Sequence, residues 1–287
     1  LMLFFALGNF ASALAPGYWS LNVLRFITGL PHGTFFGVAA LTAAGLVPPG
    51  QRAAAVGKVM MGLTVAVVVG LPLSAWLGEV LGWRSAFALV GLIALLTVWL
   101  VRRYVPYTPG HPAVSPWQEL GALRRPQVWL TLGVGAVGFG GLFSVFSYIK
   151  PTMLEAAQLP PAWLPAALAL LGLGMVAGNW LGPKFVDRGL MRAIAGILVW
   201  GAGALAVFAL TAHVLPLALM STVLVGTLGA LGIALQVRLM DVAGDAQTLA
   251  AALNHSAFNA ANALGAWLGG LAVLWGWGWA ATGWVGA

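Results

Sequence analysis

Cysteine is absent from this 287-residue chain, and charged side chains make up only 7% of it. Without thiols there are no disulfides, thiolate metal sites or cysteine nucleophiles, and the redox compartment leaves no mark. A soluble globular domain carries roughly 25% charged residues, so the scarcity of charge excludes one. The phosphate-cradling Gly-x-x-x-x-Gly-Lys-[Ser/Thr] is missing, which removes the usual sign of ATP drive. So is His-Glu-x-x-His, and His32, His111, His213 and His255 lie far apart in sequence, so neither metal nor other cofactor is expected. No stretch alternates with the period of a membrane barrel strand. The six acidic residues, Glu79, Glu119, Glu155, Asp187, Asp241 and Asp245, all fall in expected loops or at expected helix ends. A membrane enzyme acting on lipid would need an acid/base pair clustered near one interface, and none is visible.

What is present is apolar: 61% hydrophobic residues, 39 glycines and 14 tryptophans, with a mean hydropathy of +0.96. This is the composition of an all-α, multi-pass membrane protein, with glycine at helix contacts and tryptophan at the interfaces. Prolines, charges and turn residues mark spans near 1–15, 19–47, 53–78, 85–103, 127–149, 164–182, 193–211, 214–235 and 248–272, and a tenth starts near 280. Each full span approaches the ~20 residues that cross a bilayer core. The chain opens inside an apolar run with no charged region before it, so no cleavable leader is expected. It also closes inside one, at Trp284-Val285-Gly286-Ala287. Both ends read as cuts, and the sequence is expected to be a fragment.

Sidedness follows from the basic residues. With the polar connector on the cytoplasmic side, Arg52, Lys58, Arg102, Arg103, Arg124, Arg125, Lys184, Arg188, Arg192 and Arg238 lie inside. Arg84 and Lys150 lie outside and Arg25 lies in the membrane, so ten, two and one account for all 13. The positive-inside rule selects this orientation. The net charge of +7 then suits loops facing an anionic leaflet rather than nucleic acid. The connector, 104–126, separates an N-terminal half at 1–103 from a C-terminal half at 127–287. Ala75-Trp76-Leu77-Gly78 recurs as Ala266-Trp267-Leu268-Gly269, each after small residues at every fourth position. Both copies end on the outer side, as in parallel repeats.

The stretch Leu21 to Val47 is apolar yet carries Arg25 and His32, seven residues and about two turns apart on one face. Gly29, Gly33 and Gly37 follow nearly the same side and suit close helix approach. An ionisable group in a membrane span is costly unless it faces protein or water, so this face reads as lining a path. The alternatives are a structural arginine held by carbonyls and a histidine that only bonds a neighbouring helix. Asn254, His255, Asn259 and Asn262 make a polar stripe in span 248–272, suited either to hydroxylated or amide-bearing solutes or to interhelical hydrogen bonds. Phe139, Phe143 and Phe146 share a face of span 127–149, with Tyr148 at its outer end: either a pocket wall or packing. Trp275, Trp277 and Trp279 read as an interfacial belt.

Taken together, these features resemble the major facilitator superfamily, within it the bacterial drug and sugar efflux branch, over essentially the whole chain. Arg25 and Gly29 are similar to the fourth-helix Arg-to-Gly motif, with Thr28 where the family usually has glutamine. Gly62, Gly70, Pro72 and Gly78 resemble the fifth-helix antiporter motif, its Gly-Pro pair spread over Gly70-Leu71-Pro72. Gly182, Asp187, Arg188 and Arg192 resemble the second-half cytoplasmic gating loop, its aspartate one position late. Asn254 through Asn262 resembles the eleventh helix. The resemblance implies two pseudo-repeated helical halves with about ten of twelve transmembrane helices present. It further implies a secondary transporter of the bacterial inner membrane, not an enzyme, that exports a small organic solute against protons as a monomer by alternating access. Arg25, His32, Asn254, His255, Asn259, Asn262 and Tyr148 would line the pathway. An importer of sugars or nucleosides, or a sensor on the same scaffold, would share these features.

Overall fold

The computed structural model describes residues 1–107, 116–244 and 246–287, and the described residues are helical with no strand among them. His111 and Asp245 lie outside the described residues. The first half comprises α1 (Met2–Ala13), α2 (Tyr18–Gly45), α3 (Arg52–Val65) continued by α4 (Leu71–Val80), and α5 (Arg84–Tyr104). After the short α6 (Pro116–Glu119) come α7 (Pro126–Phe146), a single turn α8 (Ile149–Pro151), α9 (Leu164–Val186) and α10 (Leu190–Thr211). The chain then runs through α11 (Leu215–Gly226), continued by α12 (Ala230–Val242), to α13 (Gln247–Leu274) and α14 (Ala281–Gly286). Eight of the described helical segments are long and apolar enough to cross a bilayer.

Helices dominate because hydrocarbon offers the backbone no partner, so each segment must close its own hydrogen bonds. Hydroxyls follow the same rule: Thr97, Thr131 and Thr211 each donate to the carbonyl four residues earlier, leaving no loose donor on an apolar face. Between α3 and α4 the helix widens into a π turn over Ala66–Gly70. Pro72 follows two residues after it, and a proline has no N–H to give to the preceding turn. Two boundaries differ from expectation. Helix α12 continues past 235 to Val242, so Arg238 and Asp241 stand on a helix, and α10 starts at Leu190, which puts Arg192 in its first turn.

Close helix contacts are made where a side chain would not fit. On α13, Ala257, Ala261, Gly265 and Gly269 are all buried. A Cβ at Gly265 would stand 2.7 Å from the Ser144 nitrogen and 2.9 Å from the Phe143 Cβ of α7. A Cβ at Gly37 of α2 would stand 2.7 Å from the Ala252 nitrogen of α13, which is a contact between the halves. The corresponding stripe in the first half behaves otherwise. Gly29, Gly62 and Gly78 have no heavy atom within 4 Å of a Cβ position, and Gly70 has only Ala66 at 3.7 Å. The expectation is therefore corrected for Gly29, Gly62, Gly70 and Gly78; Gly37 does make a close approach as expected, and Gly57 makes a further one against Pro183 and Ile233. The surroundings of Gly33 and Pro72 lie outside the described residues.

This contrast predicts opposite outcomes for two substitutions. Gly265→Val should destabilise the protein by about 1–3 kcal/mol through overpacking. Gly62→Ala should be neutral or stabilising by up to about 1 kcal/mol, because alanine is the better helix former. Thermal unfolding in detergent reads both, and equal melting temperatures would contradict the packing described.

Candidate functional site between the two helical halves

Arg25 sits half-buried on α2, two turns from its outer end. Its Nε and one terminal nitrogen donate to Ser12 Oγ of α1 at 3.1 and 2.7 Å, and the latter also reaches the Gly8 carbonyl at 3.5 Å. The guanidinium lies over the Phe87 ring of α5, 4.6 Å from its centroid. One cation thus ties three helices of the first half together by charge-assisted hydrogen bonds and a cation–π contact. A buried cation facing a hydroxyl and a carbonyl matches the structural alternative raised from sequence.

His32 and His255, on different halves, are joined through aromatic rings. His32 stacks on Phe5 at 5.4 Å and meets Phe36 edge-on at 5.1 Å, and Phe36 lies 4.6 Å from the His255 ring. His255 and Asn254 line a cavity of about 60 Å³ together with Met60, Leu63, Phe139 and Asn179. Its walls come from α3 of the first half and from α7, α9, α12 and α13 of the second. This space holds a few waters rather than a solute, since ligand sites are ~300–1,000 Å³. Asn179 Nδ2 donates to Thr64 Oγ1 across the halves at 2.9 Å, and Asn254 Nδ2 donates to Gln236 Oε1 at 2.7 Å. The His255 Nε2 and Gln236 Nε2 atoms are buried without a hydrogen-bond partner. Unmatched polar atoms in a membrane interior cost free energy, so this junction carries unspent hydrogen-bonding capacity. Asn259 and Asn262, further out on α13, are exposed. Phe139 and Phe143 each pack 4.8 Å from Phe258, so the phenylalanine face wraps the cavity on one side.

The helix ends on the connector's side are held by charge. Asp187 Oδ1 accepts the Ala53 N–H at the start of α3, 3.1 Å away, and Arg52 pairs with Asp241 at 3.1 Å. In sequence Asp187 adjoins Arg188 and lies near Arg192. Its recorded hydrogen bond goes to the opposite half instead, because α3 presents free N–H groups and the positive end of its dipole there. The Arg52–Asp241 pair is the one ion pair among the described residues and is partly exposed, so it contributes only about 0–1 kcal/mol. Glu119 of α6 repeats the device within the second half, accepting the Leu249 N–H at the start of α13 at 2.8 Å. At the outer end, Tyr148 donates its hydroxyl to the Ala266 carbonyl at 2.7 Å and stacks on Trp279. It thereby fastens α7 to α13.

The profile of the Major Facilitator Superfamily matches residues 1–235. Over 276 residues the chain is 36% identical to the inner membrane transport protein YdhP of Escherichia coli K12, covering 95% of this chain and 70% of that protein. The chain belongs to the Major Facilitator Superfamily. It is also 28% identical over 271 residues to a probable sugar efflux transporter of Helicobacter acinonychis, covering 94% of this chain and 69% of that one. The crystal structure of the E. coli fucose:proton symporter FucP shares the fold, with a TM-score of 0.74 at 13% identity over 99% of this chain and 78% of that one. As a major facilitator protein the chain is a multi-pass membrane transporter, not an enzyme.

Within that fold, the structure brings together His32, Asn254 and His255, and keeps Arg25, Tyr148, Asn259 and Asn262 away from the cavity. Sequence reasoning missed Gln236, Asn179, Thr64 and Ser12. Amides inside the apolar spans 214–242 and 164–186 were a usable signal for the first two, since such groups need a protein partner. Ser12 and Thr64 gave no signal, because a hydroxyl can satisfy itself on its own helix.

The clamp predicts that Ser12→Ala destabilises the protein through Arg25. Removing the hydroxyl deprives a buried cation of an acceptor and should cost about 1–3 kcal/mol, read as a lower melting temperature. Wild-type stability in Ser12→Ala would show that the arginine does not depend on α1.

Proposed function

We propose that this transporter is a proton-coupled exporter of a small organic solute, working by alternating access in the bacterial inner membrane. The observation that carries this reading is the charge closure at the cytoplasmic ends, Asp187 on the start of α3 and Arg52 on Asp241. It lies directly beneath a polar junction with unmatched groups at His255 and Gln236. A contact that joins two halves through one hydrogen bond to a helix start and one weak ion pair is of a size that solute and proton binding can overcome. In this reading Asn254, His255, Asn259 and Asn262 contact solute as the halves part. His32 and His255 are the groups that take and release protons, since an imidazole can both accept and donate one at its ring nitrogens. Arg25 acts through the α1–α2–α5 clamp. Gly182, Arg188 and Arg192 belong to the gate segment around Asp187. The relative named as a probable sugar efflux transporter supports export as the direction.

The absence of cysteine makes the gate directly measurable, because one introduced thiol is unique in the chain. A thiol at Leu63, which lines the cavity, should react slowly with a membrane-impermeant maleimide added on the cytoplasmic side. Asp187→Asn should raise that rate about tenfold or more, from the loss of ~1.5–3 kcal/mol in a charged hydrogen bond. An unchanged rate would remove Asp187 from the gate. For coupling, the transporter in liposomes with an internal pH dye should collapse an imposed proton gradient when an exported solute is added. With a panel of sugars and organic cations, a gradient that no solute dissipates would overturn proton coupling.

A further inference from the structure

On the lipid-facing side of the second half, α9, α10 and α12 enclose a second cavity, which shares Gly182 and Arg192 with the gate segment but none of its lining with the junction at His255. It measures about 470 Å³ and is lined by Gly178, Gly182, Phe185, Arg192, Gly196 and Trp200, among others. Gly178 and Gly182 bring α9 hard against Thr227 and Ala230, which sets the floor back from the surface. Gly196 has no heavy atom within 4 Å of a Cβ position, so the trough above it is open. At mid-membrane the Trp200 indole donates to Thr227 Oγ1 at 2.8 Å and closes the inner end. From there to Arg192 is eight residues, about 12 Å of helix, comparable to the depth of one leaflet's hydrocarbon, roughly half of ~30 Å. Leu181, Phe185 and Trp200 on the rim are 41%, 58% and 53% exposed, as lipid contacts are.

The charge lies at one end only. Arg192 stands in the first turn of α10, a turn with no acidic residue, so its cation adds to the positive end of the helix dipole. Lys184 in the last turn of α9, its ammonium over the Trp180 ring, and Arg188 in the following turn are close in sequence, and the carboxylate between them, Asp187, is turned to Ala53 on the other half. Among the described residues Arg192 has no ion-pair partner. An apolar trough of one-leaflet depth with an uncompensated cation at its cytoplasmic mouth is complementary to one class of molecule present in the membrane. We propose that this groove binds an anionic phospholipid of the cytoplasmic leaflet, with its phosphate at Arg192 and an acyl chain running over Gly196 to Trp200. Arg188 and Lys184 strengthen the field that draws the headgroup in.

The test uses the purified transporter in detergent, with native mass spectrometry after adding phosphatidylglycerol or phosphatidylcholine of the same acyl composition, and with inorganic phosphate as a competitor. Wild type should retain one phosphatidylglycerol in preference to phosphatidylcholine. Arg192→Gln should lower that affinity about fivefold, the effect of one basic residue. Gly196→Leu, which fills open space without touching the fold, should remove the retained lipid while leaving the melting temperature unchanged. Arg192 is exposed, so its variant reads the site even if the bulkier one lowers expression. Equal retention of the two lipids by wild type, or undiminished phosphatidylglycerol in both variants, would overturn the proposal. So would displacement by inorganic phosphate alone, or a dimer that Gly196→Leu dissolves with no change in lipid.

Discussion

Hydrocarbon gives a polar group nothing to bond with, and most features of this transporter are responses to that constraint. Backbones close their own ladders in helices, threonines donate to their own preceding turn, and the guanidinium of Arg25 carries two acceptors from α1 with it. Among the described residues the constraint is left unmet at Asn9 Oδ1 on α1 and at His255 Nε2 and Gln236 Nε2, the last two at the seam between the halves. Unmatched atoms there lower the cost of separation, and they offer water or solute a partner when it arrives.

The same logic explains how the halves meet at the cytoplasmic ends. Asp187 is pinned by an amide at the start of α3 rather than by an arginine side chain. A backbone N–H at a helix terminus is preorganised, since no side-chain rotamers need to be ordered to present it. The helix dipole adds to it without introducing a second full charge that must be desolvated. Glu119 uses the same chemistry to hold the connector on α13. The contact between the halves and the hold on the connector are thus of one kind, a carboxylate on a helix start: Asp187 reaches from one half to the other, and Glu119 from the connector to α13.

Much of the architecture was legible in the residues. Apolar runs broken by proline and charge located the helices to within a few positions, because membrane thickness and helix rise leave few solutions. The basic residues specified sidedness, and the repeated Ala-Trp-Leu-Gly segments hinted at two related halves. The site was only partly legible. His255 and Asn254 do line the junction, but Asn259 and Asn262, one and two turns further out, stand on an exposed face. Glycine spacing misled most: the same fourth-residue period occurs in span 53–78 and in α13, yet only the α13 copy is packed on a neighbour. Periodicity states which residues share a face, not what the face meets.

By itself, then, the sequence determined the class of the protein, the order of its described spans and the family to which it belongs. These depend on composition and on interactions within a single segment. Only the tertiary structure decided that Arg25 is a clamp on Ser12 and Phe87, that Asp187 reaches Ala53, 134 residues away in the chain, and that an open trough lies over Gly196. Those facts depend on which faces of separate helices are brought together, and in a bilayer that choice is made by shape and hydrogen bonding between segments, because lipid is as apolar as the side chains themselves.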